Sequence, residues 1–491
     1  MPLASTAFDV ALPPVPDNAS GILPAIRRAL ALVAASMALM ATPAAATGFD
    51  PLGTDALLPP RPPVAGEDGR FAPCPPPAAD AALGVLDVVD QALCRHPKTF
   101  EIWASARNQA ALVGVSQATF LPGVSASGTL NRSRSDGENA TTRSTAMTLS
   151  WLLADFGTRS ANLENARQLL VAAASTLDAT VQSVFLNALQ AYYNTQAARA
   201  AVDAAQEAEK ASRESLNAAE TRYRVGTATP ADQLQARTAW SQAVLNRIKA
   251  EGTLRTALGT LASAIGRDPG ASLRLDAIPD ATPDTAFSVD VDALIATARG
   301  LRPDLRAAEA QARAARASID AARAAGLPTL SLGAGPSWQG TRSGGDTLTT
   351  HANAIGLTLT VPIFSGYDTT YRVRSAEAKA EVALAQRDSL ALQVGLDVWS
   401  TYQALQTATQ SLRTAADLLA SAEESERVAL GRYRAGVGTL IDLLNAQSAL
   451  AAARVQRIQA ALDWHVSRAT LAKAVGTLDR RLLTSAELTL P

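Results

Sequence analysis

Two kinds of hydrophobic spacing alternate along the chain, and the alternation occurs twice. Leu83, Leu86, Val89 and Leu93 fall at helical intervals; the pattern breaks at Pro97 and resumes to about Phe120. It then switches to period two, with Val124, Ala126, Gly128 and Leu130 set against Ser125, Ser127 and Thr129. After a polar stretch, Met147, Leu149 and Trp151 alternate with Thr148 and Ser150. This predicts a β-hairpin over about 121–156, a polar loop between two strands of about ten residues, the length of a membrane-barrel strand. The second passage begins with a helical pattern from Leu301. Leu330, Leu332 and Ala334 then alternate with Ser331 and Gly333, and Ile355, Leu357, Leu359 and Val361 alternate with small or polar residues. A second hairpin is expected over about 327–364. Trp151 and Trp338 suit either a membrane interface near strand ends or an ordinary core.

A long helical stretch follows each hairpin. Residues 159–223 contain neither proline nor glycine, and 370–433 contain no proline and only Gly395 and Gly431. Each spans about 65 residues, or about 100 Å at helical rise, far beyond the usual three turns. Both end at Arg-Tyr-Arg-X-Gly, where Gly226 and Gly436 are natural left-handed caps. Further helices over about 230–265 and 440–475 fold back. Each half therefore holds a long helical hairpin, about 159–265 and about 367–475, turning at its glycine. The tips share their sequence: RYRVGTATPADQLQA at 222–236 and RYRAGVGTLIDLLNA at 432–446. At the same offset of about 210, Tyr193 falls near Tyr402, and Ile265-Gly266 falls on Val475-Gly476. This is an internal duplication of a domain-sized unit.

The halves occupy 83–266 and 301–476, with an irregular connector at 267–300 and a tail at 477–491. Residues 47–82, rich in proline, form a linker without a packed core of its own. Before it, Arg27-Arg28 precede an apolar run at 29–40 and the stretch ATPAAA. With small residues at Ala44 and Ala46, residues 1–46 have the form of an export signal behind a long leading region. A buried core helix is the competing explanation. No other run reaches 18 apolar residues, so no transmembrane helix is expected in the mature chain. An exported chain of this kind is periplasmic, secreted or held in an outer membrane as a barrel.

Composition narrows the chemistry. The net charge of −1 gives no basic field for nucleic acid. Aromatics are only 4% and alanine is abundant, which suits thin, tightly packed helices. His96, His351 and His465 are scattered, and no phosphate loop, nucleophile elbow or metal motif occurs. No enzyme, cofactor or metal is expected. Cys74 and Cys94 are the only cysteines, and in an oxidising compartment they suit a disulfide.

The tips carry the informative residues. Thr229 and Thr439 precede Asp232 and Asp442 by three, a capping pattern that by itself explains both acids. The same carboxylates, gathered by several packed hairpins, would make an acidic constriction. Arg222, Arg224, Arg432 and Arg434 suit helix C-termini. With Tyr223 and Tyr433 they also suit links between neighbouring tips. Both readings stand for each group.

On these residues the chain resembles the TolC family of outer-membrane channel proteins over about 84–480. The duplicated RYxxG…DxLxA blocks carry the resemblance, with Leu-Pro before each hairpin at 121 and 327 and Phe-Gly or Phe-Ser-Gly after it at 156 and 364–366. The resemblance implies a mixed α+β homotrimer: a 12-stranded transmembrane β-barrel, four strands per chain, continued by a long periplasmic α-helical barrel. It implies a periplasmic adaptor, an inner-membrane ABC transporter and outer-membrane lipid as partners. It implies that Tyr433 and Asp232 belong to the tip links and that Asp442 is the entrance carboxylate. Gly438 and Asn445 stand where relatives often carry an arginine and a second acid, so this entrance is expected to be less latched and less negative. Within the family the chain is similar to the CyaE type, which implies an exit duct for type I secretion of an unfolded protein such as an RTX toxin. A small-molecule efflux channel and, from another class, a periplasmic coiled-coil scaffold are the alternatives.

Overall fold

The computed structural model describes residues 50–58, 64–65, 71–72, 82–135, 138–276, 290–343 and 346–478. The export signal, most of the linker and nearly all of the tail lie outside these residues. Within the linker, Val64–Ala65 (β1) and Phe71–Ala72 (β2) pair antiparallel. A short 3-10 turn, Thr54–Leu57, runs into Leu58, which is buried against Ala106, Ala110, Val113 and Leu170. This corrects the expectation of a linker without packing: Leu58 has found the apolar face of the next helix, and Arg107 pairs with Asp55 beside it.

The duplication repeats the lengths of three helix pairs. Helices α1 (Val85–Arg95) and α2 (Pro97–Ala118) have 11 and 22 residues. Helices α5 (Val291–Leu301) and α6 (Pro303–Ala324) have the same lengths. In both pairs the break falls at a proline in the first helical turn, where its missing N–H costs nothing. Helix α5 starts inside the stretch read as irregular connector. Its N-cap, Asp290, accepts from the Asp292 N–H, and Leu294 and Ala298 give it a buried face. Helices α3 (Thr158–Arg224) and α7 (Asp368–Arg434) have 67 residues each. Helices α4 (Pro230–Ala264) and α8 (Leu440–Val475) return along them.

Apolar side chains gather where the helices of each half meet. In the first, Val88, Val89 and Leu93 of α1 pack with Phe185, Leu189 and Tyr192 of α3 and Leu261 of α4. In the second, Leu294 of α5 packs with Val394, Val398 and Leu412 of α7 and Leu471 and Val475 of α8. Along α6 the buried residues include Ala307, Ala310, Ala314, Ala317 and Ala321, so the abundant alanine lets long helices approach closely. One 18-residue window in α3 has a mean hydropathy of 1.5 and is long enough to cross a membrane. The expectation of no such helix overlooked it because alanine-rich helix faces average as apolar. Leu170 of α3 is instead buried against α2, and Leu186 and Leu189 are packed with α1.

The hairpins meet in one antiparallel sheet, ordered β3 (Gly123–Ser135), β4 (Glu138–Ala154), β5 (Thr329–Ser343) and β6 (Asp346–Thr360). The strands are longer than ten residues. The polar stretches read as loops belong to the ladder, and Ser135 pairs with Glu138 and Ser343 with Asp346 across two-residue links. Asp136-Gly137 and Gly344-Gly345 are the sequence signals of such tight hairpins. Register then sorts the faces. Val124 pairs with Leu149, Leu149 with Ala334, and Ala334 with Ile355, one apolar row across all four strands. The next row holds Trp151, Leu332 and Leu357. The other face carries Ser127, Thr129, Ser144, Thr142, Ser337 and Thr341, with hydroxyls in contact between Thr129 and Ser144 (2.6 Å) and between Thr142 and Thr341 (3.3 Å). The apolar face is uncovered; Ile355 is 80% and Leu357 66% exposed. Trp151 lies near the helix end of its strand, but Trp338 lies within β5, opposite Thr145 and His351.

All four helix connections leave from one end of the sheet and both tight links lie at the other. At the helix end, Arg159 binds buried Asp155 (3.1 Å) and donates to the carbonyls of Thr119, Leu152 and Leu153. It thereby ties α2, the bulge in β4 near Leu153, and the start of α3.

Candidate functional site

At the far end of α3 and α7 the chain turns twice by the same device. The Gly226 N–H donates to the Tyr223 carbonyl and the Thr227 N–H to that of Arg222; Gly436 and Val437 do the same to Tyr433 and Arg432. These paired bonds satisfy the last helical carbonyls, and they require a left-handed residue. Gly226 and Gly436 both sit at φ +77° with open space around them, so their requirement is conformational. Gly438 differs: a Cβ there would lie 3.0 Å from the Arg432 Cβ and 3.1 Å from the Tyr433 nitrogen. The second turn is thus closed against its own helix.

Each return helix begins with a complete capping box. Thr229 Oγ1 accepts from the Asp232 N–H (3.2 Å), and the Asp232 carboxylate accepts from the Thr229 N–H (2.9 Å). Asp442 and Thr439 repeat the exchange at 3.1 and 3.4 Å. The Asp232 carboxyl is held below its usual range by the Thr229 N–H and then by the Thr229 hydroxyl. The Thr439 hydroxyl and N–H do the same for Asp442, helped by the positive charge of Arg432. Both acids therefore carry their charge throughout the neutral range. Capping does not consume it: Asp442 is exposed, and Asn445, one turn further along α8, is exposed beside it.

The two tips of one chain are joined. The Arg222 guanidinium lies over the Tyr433 ring, 4.1 Å from its centre, and donates to the Tyr433 carbonyl (2.6 Å). Tyr433 is only 5% exposed, packed with Leu216, Ala219, Ala236, Leu440 and Leu443. Ser215 reaches Gln447 on α8 at 3.2 Å. Of the residues expected to link tips, Arg222 and Tyr433 thus meet within the chain. Tyr223, 42% exposed, and the exposed Arg432 and Arg434 face outward. The pairing of Arg222 with Tyr433 across the duplication lay beyond sequence reasoning, since it depends on how the ends of α3 and α7 come together.

Cys94 is buried in the α1 core and disulfide-bonded; Cys74, its expected partner, lies outside the described residues. Among the described residues no group of His, Cys, Asp and Glu is arranged to hold a metal.

The architecture has known counterparts. The family model described as outer membrane efflux protein matches residues 88–267 and 294–477. Protein CyaE of Bordetella pertussis is 32% identical over 418 residues, 83% of this chain and 87% of that protein. The outer membrane efflux protein BepC of Brucella suis is 25% identical over 377 residues, 76% of this chain and 81% of that one. Among solved structures, the CmeC outer membrane channel of Campylobacter jejuni superposes with a TM-score of 0.70 at 20% identity, covering 80% of this chain and 86% of that one.

Proposed function

The chain belongs to the TolC family of outer-membrane channels, the outer membrane efflux proteins, and we propose from this that it is the outer-membrane exit duct of a type I secretion system. The family is one of channels, and its members lie in the outer membrane with a periplasmic portion. The observation that carries the duct is the four-stranded sheet: apolar on one face, hydroxyl-lined on the other, with β3 and β6 as edges. Unpaired edges are not tolerated in hydrocarbon. Three copies joined β6 to β3 would give a closed barrel of 12 strands, lipid outside and hydroxyls within, and would carry the helices on as a tunnel of about 100 Å. Six tips would then surround the far entrance, with Asp442 and Asp232 as its carboxylates. A periplasmic adaptor and an inner-membrane ABC transporter supply the cargo and the energy.

The likeness to CyaE over most of both chains supports secretion of an unfolded protein. Relatives such as BepC, named for efflux, favour a small-molecule pump as the second reading. Deletion of the gene separates them. Loss of a protein from the culture medium with unchanged drug resistance supports secretion; lowered resistance with an unchanged medium supports efflux. Purified protein that conducts no ions in planar bilayers would sink both and leave the coiled-coil scaffold.

A further inference from the structure

Register places every described arginine of the sheet on one face and at one end. Arg132 lies opposite Thr141, which lies opposite Arg342. Arg143 lies opposite Leu130 and Gly340, two residues below that row. It is therefore the diagonal neighbour of both Arg132 and Arg342, at about 7–8 Å between backbones. Arg134 is two residues beyond Arg132 on the same face of β3. All four are exposed and none has an ion pair among the described residues. The described residues of this face include no acid; Asp346 pairs with Ser343 and so falls on the other side.

The face is the apolar one. From Leu330 to Arg342 is twelve residues along β5, about 40 Å of strand, or about 30 Å of membrane thickness at ordinary barrel tilt. With the Leu330 row at one boundary of the hydrocarbon, the arginines stand at the other, at headgroup level. Scattered snorkelling cations would not need to converge, nor to be absent from the hydroxyl face. Guanidinium forks match phosphate oxygens in pairs, and three within diagonal reach suit a headgroup carrying more than one phosphate.

We propose that Arg132, Arg143 and Arg342, with Arg134 beside them, form a binding site for a phosphorylated glycolipid of the outer leaflet. Its phosphates lie on the guanidiniums and its acyl chains run down the apolar rows below. The site rests on the reading of the sheet as a barrel wall with its tight links outward.

The test uses full-length protein in lipid nanodiscs and two probes, diphosphoryl lipid A and its dephosphorylated form, with copies retained on gentle extraction counted by native mass spectrometry. Wild-type protein is expected to retain the diphosphoryl form roughly tenfold better, and the variant R132Q/R143Q/R342Q to lose that preference. Equal retention of the two lipids by wild-type protein, or an undiminished preference in the variant, overturns the site. So does release of the lipid by millimolar inorganic phosphate, which would mark a free-phosphate site. If the variant does not assemble, the wild-type comparison decides alone. Failure of the wild-type protein to enter bilayers and conduct overturns the barrel reading and the site with it. A conducting protein without phosphate preference overturns only the lipid site.

Discussion

Asp442 has two duties that a single substitution separates. As a cap it offers oxygen to the Thr439 N–H; as an exposed carboxylate it carries charge at the proposed entrance. Asn keeps the oxygen and removes the charge. D442N is expected to leave helical content unchanged and lower cation selectivity in planar bilayers, whereas T439A costs about 1 kcal/mol of helix start. Unchanged selectivity in D442N would reduce the residue to its cap. The folded pKa values of Asp232 and Asp442 are both depressed. Their contribution is therefore complete above the ordinary carboxylate value of about 3.9 and is lost as pH falls through the lower folded values. Arg222 fastens one tip to the other: R222A removes a ring contact and a charge-assisted bond to the Tyr433 carbonyl, together of order 1–3 kcal/mol. Open probability should rise about tenfold or more, and an unchanged value would confine Arg222 to folding. The capping boxes and tip glycines were legible because they are local patterns. The Arg222–Tyr433 contact was not, because it is set by tertiary packing between residues 211 apart in sequence.

Among the elements, helices read more truly than strands. A 67-residue helix leaves a long record of missing proline, and the paired lengths of α3 and α7 repeat it. The strands were read short because Arg132, Arg134 and Arg143 interrupt the apolar alternation, although their backbone stays in the ladder. Alternation persisted in direction after it had ended in hydropathy. The seam between α3 and α8 was invisible in the sequence. There the His465 ring stacks on Tyr193 at 4.5 Å, nearly parallel, with Trp464 edge-on at 5.0 Å. Burial, with the nearby Arg468 charge adding to it, pushes His465 down to about 4. A base with a depressed folded pKa is protonated first in the unfolded chain, so stability is full above about pH 6.5 and falls toward pH 4. The loss reaches about 3 kcal/mol. Denaturant titrations at fixed protein concentration should show it, and H465F, which keeps a ring and removes the proton, should flatten it. A pH dependence surviving in H465F would assign it to other groups.

At the scale of the molecule the duplication supplies matching long helices but unequal fastenings. In the first helical hairpin Arg247 of α4 bridges Glu209 of α3 and, at 2.6 Å, Glu251 one turn further on. The matching positions of the second hairpin hold Arg457, Leu419 and Ala461, so neither acid of the clamp is repeated there. Gly438 likewise closes the second tip in a way that Ala228 does not reproduce in the first. A duct of three such chains would carry two classes of hairpin around its entrance, and opening would begin where midway fastening is missing. Exposed ion pairs contribute little singly, but this arginine is partly covered and shared by two acids. Hydrogen exchange in the assembled protein gives the measurement. Amides of α3 and α4 around Glu209 and Arg247 should exchange several-fold more slowly than those around Leu419 and Arg457, and R247Q should bring the first hairpin close to the second. Equal exchange of the two hairpins in the wild-type protein would show that the clamp does not set their mobility. The Arg222–Tyr433 latch, which binds one tip to the other, would then move both together.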